Sequence, residues 1–326
     1  MQTLYPWLQP YYQQITQAFL QQHGHHALLF KSEQGLGVES LIDNVAQWIM
    51  CQNPQGNLPC SHCHSCRLYL ANTHPDVYYL DNEEGKDIGI ESVRDVTEKI
   101  NQYAQQGGNK IICIKQTERL TSAAANALLK TLEEPRANTY FLLQVSTSSA
   151  VLPTIYSRCQ PWLIKLPAAT DIENWLHIQT HADLKTIQLA LKMNYQRPLW
   201  ALKSLQQNEL QQRTVFLRHF WRFYQRRSPL ELLPYFEKEH CIHQLDWILC
   251  FLHDALKCKL GITENWFFED LQPGIQQFSQ KNSRISLLNA INILQKTRWE
   301  LNHINGVNQE LILVDGLTKL ITEIFE

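Results

Sequence analysis

A chain of 326 residues with 44% apolar and 18% charged residues has the make-up of a globular protein and enough length for more than one core. Its longest apolar runs fall short of the ~20 residues a bilayer span requires, which excludes a membrane-embedded class. A formal net charge of -2 excludes the strong cationic field of a protein that holds duplex phosphates unaided, so any nucleic-acid role is expected to be shared.

Met1 to Pro10 shows no basic start, apolar stretch or small-residue cleavage site, and a cytoplasmic location is expected. The nine cysteines, an odd number, then read as reduced thiols rather than a disulfide framework. Along the first half, Ala27 to Phe30, Val77 to Leu80, Lys110 to Ile114 and Tyr140 to Val145 are short apolar runs of strand length, with helical patterns between them. That alternation predicts an α/β domain with a parallel sheet and helices on both faces. Ile90, Val93, Val96, Thr97 and Ile100 recur at helical spacing and predict a helix over Glu91 to Tyr103.

After about Pro167 the strand-like runs cease, and helical patterns broken by Pro198, Pro229, Pro234 and Pro273 continue to the end. The expected organisation is an α/β domain over 1–166, a small helical domain over 167–207 and a larger helical domain over 208–326. In the last, Val215, Phe216, Phe220, Phe223 and Tyr224 form an apolar face with Arg213, Arg218, Arg222, Arg226 and Arg227 between them, read as a packed helix with a solvated basic face. Val307, Leu311, Val314, Leu317, Leu320, Ile321, Ile324 and Phe325 mark a second apolar face.

Directly after the first strand, Lys31 to Ser40 places Gly35 and Gly37 ahead of a helical pattern, the order of a phosphate-binding loop. A working loop of this kind is Gly-x-x-x-x-Gly-Lys-Ser/Thr, because backbone N–H groups and the lysine hold phosphates while the hydroxyl holds magnesium. Here Ser32 stands for the first glycine, Val38 for the lysine and Glu39 for the hydroxyl residue. Glu39 would set a carboxylate against a negatively charged magnesium-triphosphate, and ATP rejection is expected. The two glycines alone equally fit an ordinary tight turn. After the third strand, Lys115 and Gln116 occupy the positions of the magnesium-ordering and water-activating acids.

Cys51, Cys60, Cys63 and Cys66 follow the spacing C-x8-C-x2-C-x2-C, with Pro54, Gly56 and Pro59 supplying turns. Four thiolates so close fit a closed tetrahedral zinc site, and structural Zn2+ is the expected cofactor. The last three also match part of a ferredoxin run, although Arg67 and Leu68 stand where that run would lead to its fourth Cys-Pro. His62 or His64 as a ligand, and metal-free thiols, are the other readings. Cys113, Cys241, Cys250 and Cys258 read as core residues.

The run Asn126 to Pro135 closely resembles clamp-loader subunits of the AAA+ family, as do His26 to Leu29, Thr73 to Asp76 and Ser157-Arg158-Cys159. In that family the ATP-binding subunits keep the loop lysine and the magnesium acids, whereas a branch with a degenerate loop carries a four-cysteine insertion. The resemblance therefore implies a non-catalytic accessory subunit of a DNA-directed DNA polymerase complex, without ATPase activity of its own. It implies gamma or tau ATPase subunits and a delta subunit as partners in a hetero-pentamer, with a collar formed by C-terminal domains. It further implies indirect action on a sliding clamp and primed DNA. It assigns Arg158 as an arginine finger reaching a neighbour's ATP. Arg197 falls near the family's nucleotide-sensing arginine and receives no role, while Ser146 and Thr147, near its polar sensor, read as capping or loop residues.

Overall fold

The computed structural model describes residues 3–81, 87–149, 151–303 and 308–325. The chain divides into two compact units, Met1–Ala168 and Ala169–Glu326.

In the first unit, β1 (Ala27–Ser32), β2 (Val77–Leu80), β3 (Lys110–Ile114), β4 (Thr139–Ser146) and β5 (Gln160–Ile164) form one sheet in the order β2-β3-β4-β1-β5, with every pairing parallel. Successive side chains of a strand point to opposite faces, so a strand covered on both sides must be apolar throughout. Leu28, Phe30, Ile111, Cys113 and Leu142 accordingly pack on one side with Ile15 of α1 (Gln9–Leu20) and Leu41 and Val45 of α2 (Val38–Met50). Ala27, Leu29, Ile112, Ile114, Phe141 and Leu143 pack on the other with Val93 of α4 (Ile90–Ile100) and Leu128 and Leu132 of α5 (Ser122–Glu133). The short α3 (His64–Leu70) carries Cys66, the last of the four clustered cysteines, and α6 (Pro153–Tyr156) leads into β5.

Two details depart from the sequence reading. The helix expected to reach Tyr103 ends at Ile100, because the buried Lys110 ammonium donates to the carbonyls of Ile100 and Gln102 and draws the chain out of the helical path. The fifth strand, unmarked in the sequence because Pro161 interrupts its apolar run, is an edge strand beside β1. An edge tolerates the missing proline N–H.

The second unit is helical. Ile172 and Leu176 of α7 (Ala169–Thr180), Ile187 and Leu191 of α8 (Leu184–Met193) and Ala201 of α9 (Pro198–Gln206) share one small core. A larger core gathers Phe216, Phe220 and Phe223 of α10 (Glu209–Arg226), Phe251 of α11 (Cys241–Lys259), Phe278 of α12 (Gln272–Lys281), Leu294 of α13 (Arg284–His303) and Leu317 of α14 (Gln309–Lys319). Arg213 does not lie on a solvated face: it is 1% exposed, paired with Asp270, its guanidinium 4.4 Å from the Phe268 ring centroid. Val307 of the expected C-terminal apolar face lies outside the described residues, and Leu313, unmarked in the sequence reading, is buried where Leu311 is exposed.

Candidate functional site

The glycine loop joins β1 to α2 at the carboxyl end of the sheet. Gly35 and Gly37 have φ of +82° and +73°, a region side chains rarely enter, which is the local reason for glycine at both. Between them Leu36 is fully buried, and its carbonyl accepts a hydrogen bond from Trp7 Nε1 at 2.9 Å. Gly37 caps α2, and Val38, the first helical residue, is 1% exposed and packed in the core shared with Leu41 and Phe30.

The N-terminal turn of a helix carries unsatisfied N–H groups and positive dipole, which is where a phosphate sits in working loops. Here Glu39 brings the negative charge: it is exposed in the first turn of α2 and accepts from Gln144 Nε2 of β4 at 2.7 Å. A second loop carboxylate, Glu33, accepts from Thr147 Oγ1, so Thr147 serves as a loop tie. Ser32 ends β1 in register with Ser146 and is buried. Lys115 forms an ion pair with Asp81 at 3.2 Å, and Gln116 turns the chain with a φ of +52°.

Arg158 lies elsewhere, just before β5. Its Nε donates to Glu133 Oε1 at 2.7 Å, its Nη2 pairs with the same oxygen, and its Nη1 donates to Thr154 O at 2.9 Å and Ser157 Oγ at 3.2 Å. Cys159 anchors the motif from within the core, where burial pushes its thiol up to about 12. Glu133 is the last residue of α5, and the preceding carbonyl, Leu132 O, accepts from His26 Nε2 at 2.8 Å. Three stretches singled out in the sequence, at His26, Glu133 and Arg158, thus meet around one helix end.

Glu133 stood in a quoted motif without a role; its spacing from Arg158 holds no local signal, since the two meet only through the fold. Arg197 stacks on Trp200 at 4.2 Å at the start of α9.

The sulfurs of Cys51, Cys60, Cys63 and Cys66 all lie within 4.8 Å of one another. A zinc tetrahedron with Zn–S bonds of about 2.3 Å has sulfur edges of roughly 3.8 Å, within reach of this cluster. Backbone N–H groups already face three of the sulfurs: Cys60 N donates to Cys51 Sγ at 3.2 Å, Cys63 N to Cys60 Sγ at 3.4 Å and Cys66 N to Cys63 Sγ at 3.4 Å. Donors aimed at sulfur favour the thiolate, the form that binds metal. Hydrogen bonding from the backbone at His62 leads the effects that lower the Cys60 thiol to about 6, while burial raises Cys51 and Cys66. These four residues could hold a metal ion; the exposed His62 and His64 are not among them.

The segment has little core of its own, so its neighbours hold it. Trp48 Nε1 donates to Gly56 O at 3.0 Å, and Tyr12 Oη donates to Asn57 O at 2.7 Å. Ser65 Oγ donates to Met50 O at 2.6 Å and accepts from His74 Nε2 at 2.9 Å. His74 Nδ1 in turn accepts from Asp76 N at 3.1 Å, which fixes its tautomer.

The parallel sheet in this order, with a glycine loop between first strand and second helix, defines a protein of the AAA+ RecA-like class. A family model described as "DNA polymerase III, delta subunit" matches residues 8–168, and one described as "DNA polymerase III, delta subunit, C terminal" matches 207–322. The chain is 54% identical to DNA polymerase III subunit delta' of Haemophilus influenzae, over 100% of this chain and 99% of the relative. It is 38% identical to the Yersinia pestis subunit delta' (96% and 94% covered) and 34% to that of Escherichia coli K12 (97% and 95%). The chain belongs to the DNA polymerase III subunit delta' family.

Proposed function

We propose that this chain acts in the clamp loader of DNA polymerase III as a subunit that binds no ATP and presents Arg158 to nucleotide held by its neighbour. The observation that carries the reading is Val38. At the position where a phosphate-gripping lysine would project, its side chain is 1% exposed and committed to the core, next to a carboxylate at Glu39. The second half of a magnesium-nucleotide site is replaced as well, by Lys115 paired with Asp81 and by Gln116.

What is left for such a subunit is to complete another's site. Arg158 suits the task because guanidinium is planar, permanently charged and able to fork onto phosphate oxygens as the γ-phosphate departs. It lies in a partly exposed stretch, its side chain 30% accessible. The same reading assigns 1–166 as a nucleotidase-like domain, 167–207 as a small lid and 208–326 as a collar joining gamma or tau ATPase subunits and delta in a hetero-pentamer. The assembly loads a sliding clamp onto primed DNA in the cytoplasm, the chain being an accessory subunit of the polymerase holoenzyme and no ATPase itself. A structural zinc at Cys51, Cys60, Cys63 and Cys66 completes the assignment.

The test is reconstitution with the ATP-binding partners and single-turnover hydrolysis, in which the site next to this chain gives its own phase. Arg158→Ala is expected to slow that phase by ~10³-fold or more with assembly intact. An unchanged phase would remove the finger assignment.

A further inference from the structure

We infer that Glu133 is the positioning residue for Arg158, holding one edge of the guanidinium so that the other faces outward to the neighbour's phosphate; the inference rests on the trans-acting role proposed for Arg158. An arginine side chain has many rotamers, and freezing one at the moment of reaction costs conformational entropy. A catalytic arm is therefore more effective when its shape is set beforehand.

The geometry supplies that setting. Guanidinium has two edges suited to a forked contact: one made by Nε and one Nη, the other by the two Nη groups. Glu133 Oε1 takes the Nε and Nη2 edge. That pairing uses one N–H of Nη2 and leaves its second outside the fork. Nη1 meanwhile rests on Thr154 O and Ser157 Oγ, neutral acceptors at 2.9 and 3.2 Å that a phosphate oxygen can displace. The carboxylate thus keeps the edge a phosphate does not need, and weaker partners hold the edge it does.

Glu133 is itself fixed. It closes α5, whose Leu128 and Leu132 are buried against the sheet, and the carbonyl just before it is held by His26. Arg158 is fixed from its other side by Cys159 in the core. Both partners of the pair therefore project from rigid backbone, and their meeting joins the end of α5 to the turn before β5.

The experiment uses the reconstituted complex and single-turnover hydrolysis at the site beside this chain, with Glu133→Ala, Glu133→Gln, Arg158→Ala and the double variant E133A/R158A. Glu133→Ala is expected to slow that phase on the order of ten- to a hundredfold, the cost of a reacting group displaced by about 1 Å. The ATP concentration for half-maximal rate should stay unchanged. Glu133→Gln, which keeps an acceptor oxygen in place, should recover part of the loss and guards against a fold defect in the alanine variant. The double variant should be no slower than Arg158→Ala alone, since Glu133 acts through Arg158. Wild-type rates in both Glu133 variants beside a slow Arg158→Ala would overturn the inference while leaving the finger reading intact. Losses that multiply in the double variant would also overturn it, and an unaffected Arg158→Ala would sink both readings together.

Discussion

His74 shows how a single side chain can secure a whole segment. Its Nδ1 must keep a lone pair to accept from Asp76 N while its Nε2 faces Ser65, so the ring serves only when neutral. Burial lowers its pKa below the ordinary 6.5, against a smaller opposing pull from Asp76. The folded chain then binds fewer protons here than the unfolded chain, and the stability His74 confers is complete above about 6.5 and lost as pH falls toward the depressed value. Urea midpoints measured from pH 7.5 to 5 should decline more steeply for the wild type than for His74→Gln. Parallel slopes would mean that His74 is not the titrating tether. His74 was visible in the sequence only as part of a family-like stretch, because its contact with Ser65, which in turn holds the Met50 carbonyl, forms only in the fold. The departures at Val38, Glu39, Lys115 and Gln116, by contrast, stand in the sequence itself as residue types, with no tertiary contact needed to see them. Arg213 was misjudged because its partner Asp270 lies fifty-seven residues on.

At the scale of elements, the cysteine segment depends on bonds other than apolar packing. Structural zinc sites contribute ~10 to 16 kcal/mol of apparent binding free energy, enough to order a loop that carries Leu58 exposed and four sulfurs together. Metal analysis should find about one zinc per chain. Cys63→Ser should lose it and expose 51–66 to proteolysis while the sheet stays intact; an iron-containing preparation, or full protection of the segment without metal, would contradict this. In the helical unit, Gly316 of α14 meets Thr297 of α13 so closely that an added Cβ would come within 2.4 Å of Thr297 Oγ1. Gly316→Ala should lower stability by about 1 to 3 kcal/mol in chemical unfolding, although alanine is the better helix former. The buried central strands were readable as continuous apolar runs because both faces of the sheet are covered. The edge strand was not, since Pro161 breaks its apolar run, nor was the end of α4, since the reach of Lys110 is a tertiary contact that no local pattern records.

For the whole molecule, the proposed role rests on charge and burial together. The formal net charge is -2, and no described helix is long and apolar enough to cross a membrane. On the proposed reading, the α/β unit keeps the sheet and loop of a nucleotide-binding fold but gives the lysine position to its core and the helix start to its own carboxylate. Equilibrium titration of the isolated chain with a fluorescent ATP analogue and magnesium tests this most directly. No saturable binding is expected up to about millimolar analogue, the regime of roughly -4 kcal/mol. Magnesium-dependent binding at micromolar concentration, with nucleotide seated against Gly35 and Gly37, would contradict it.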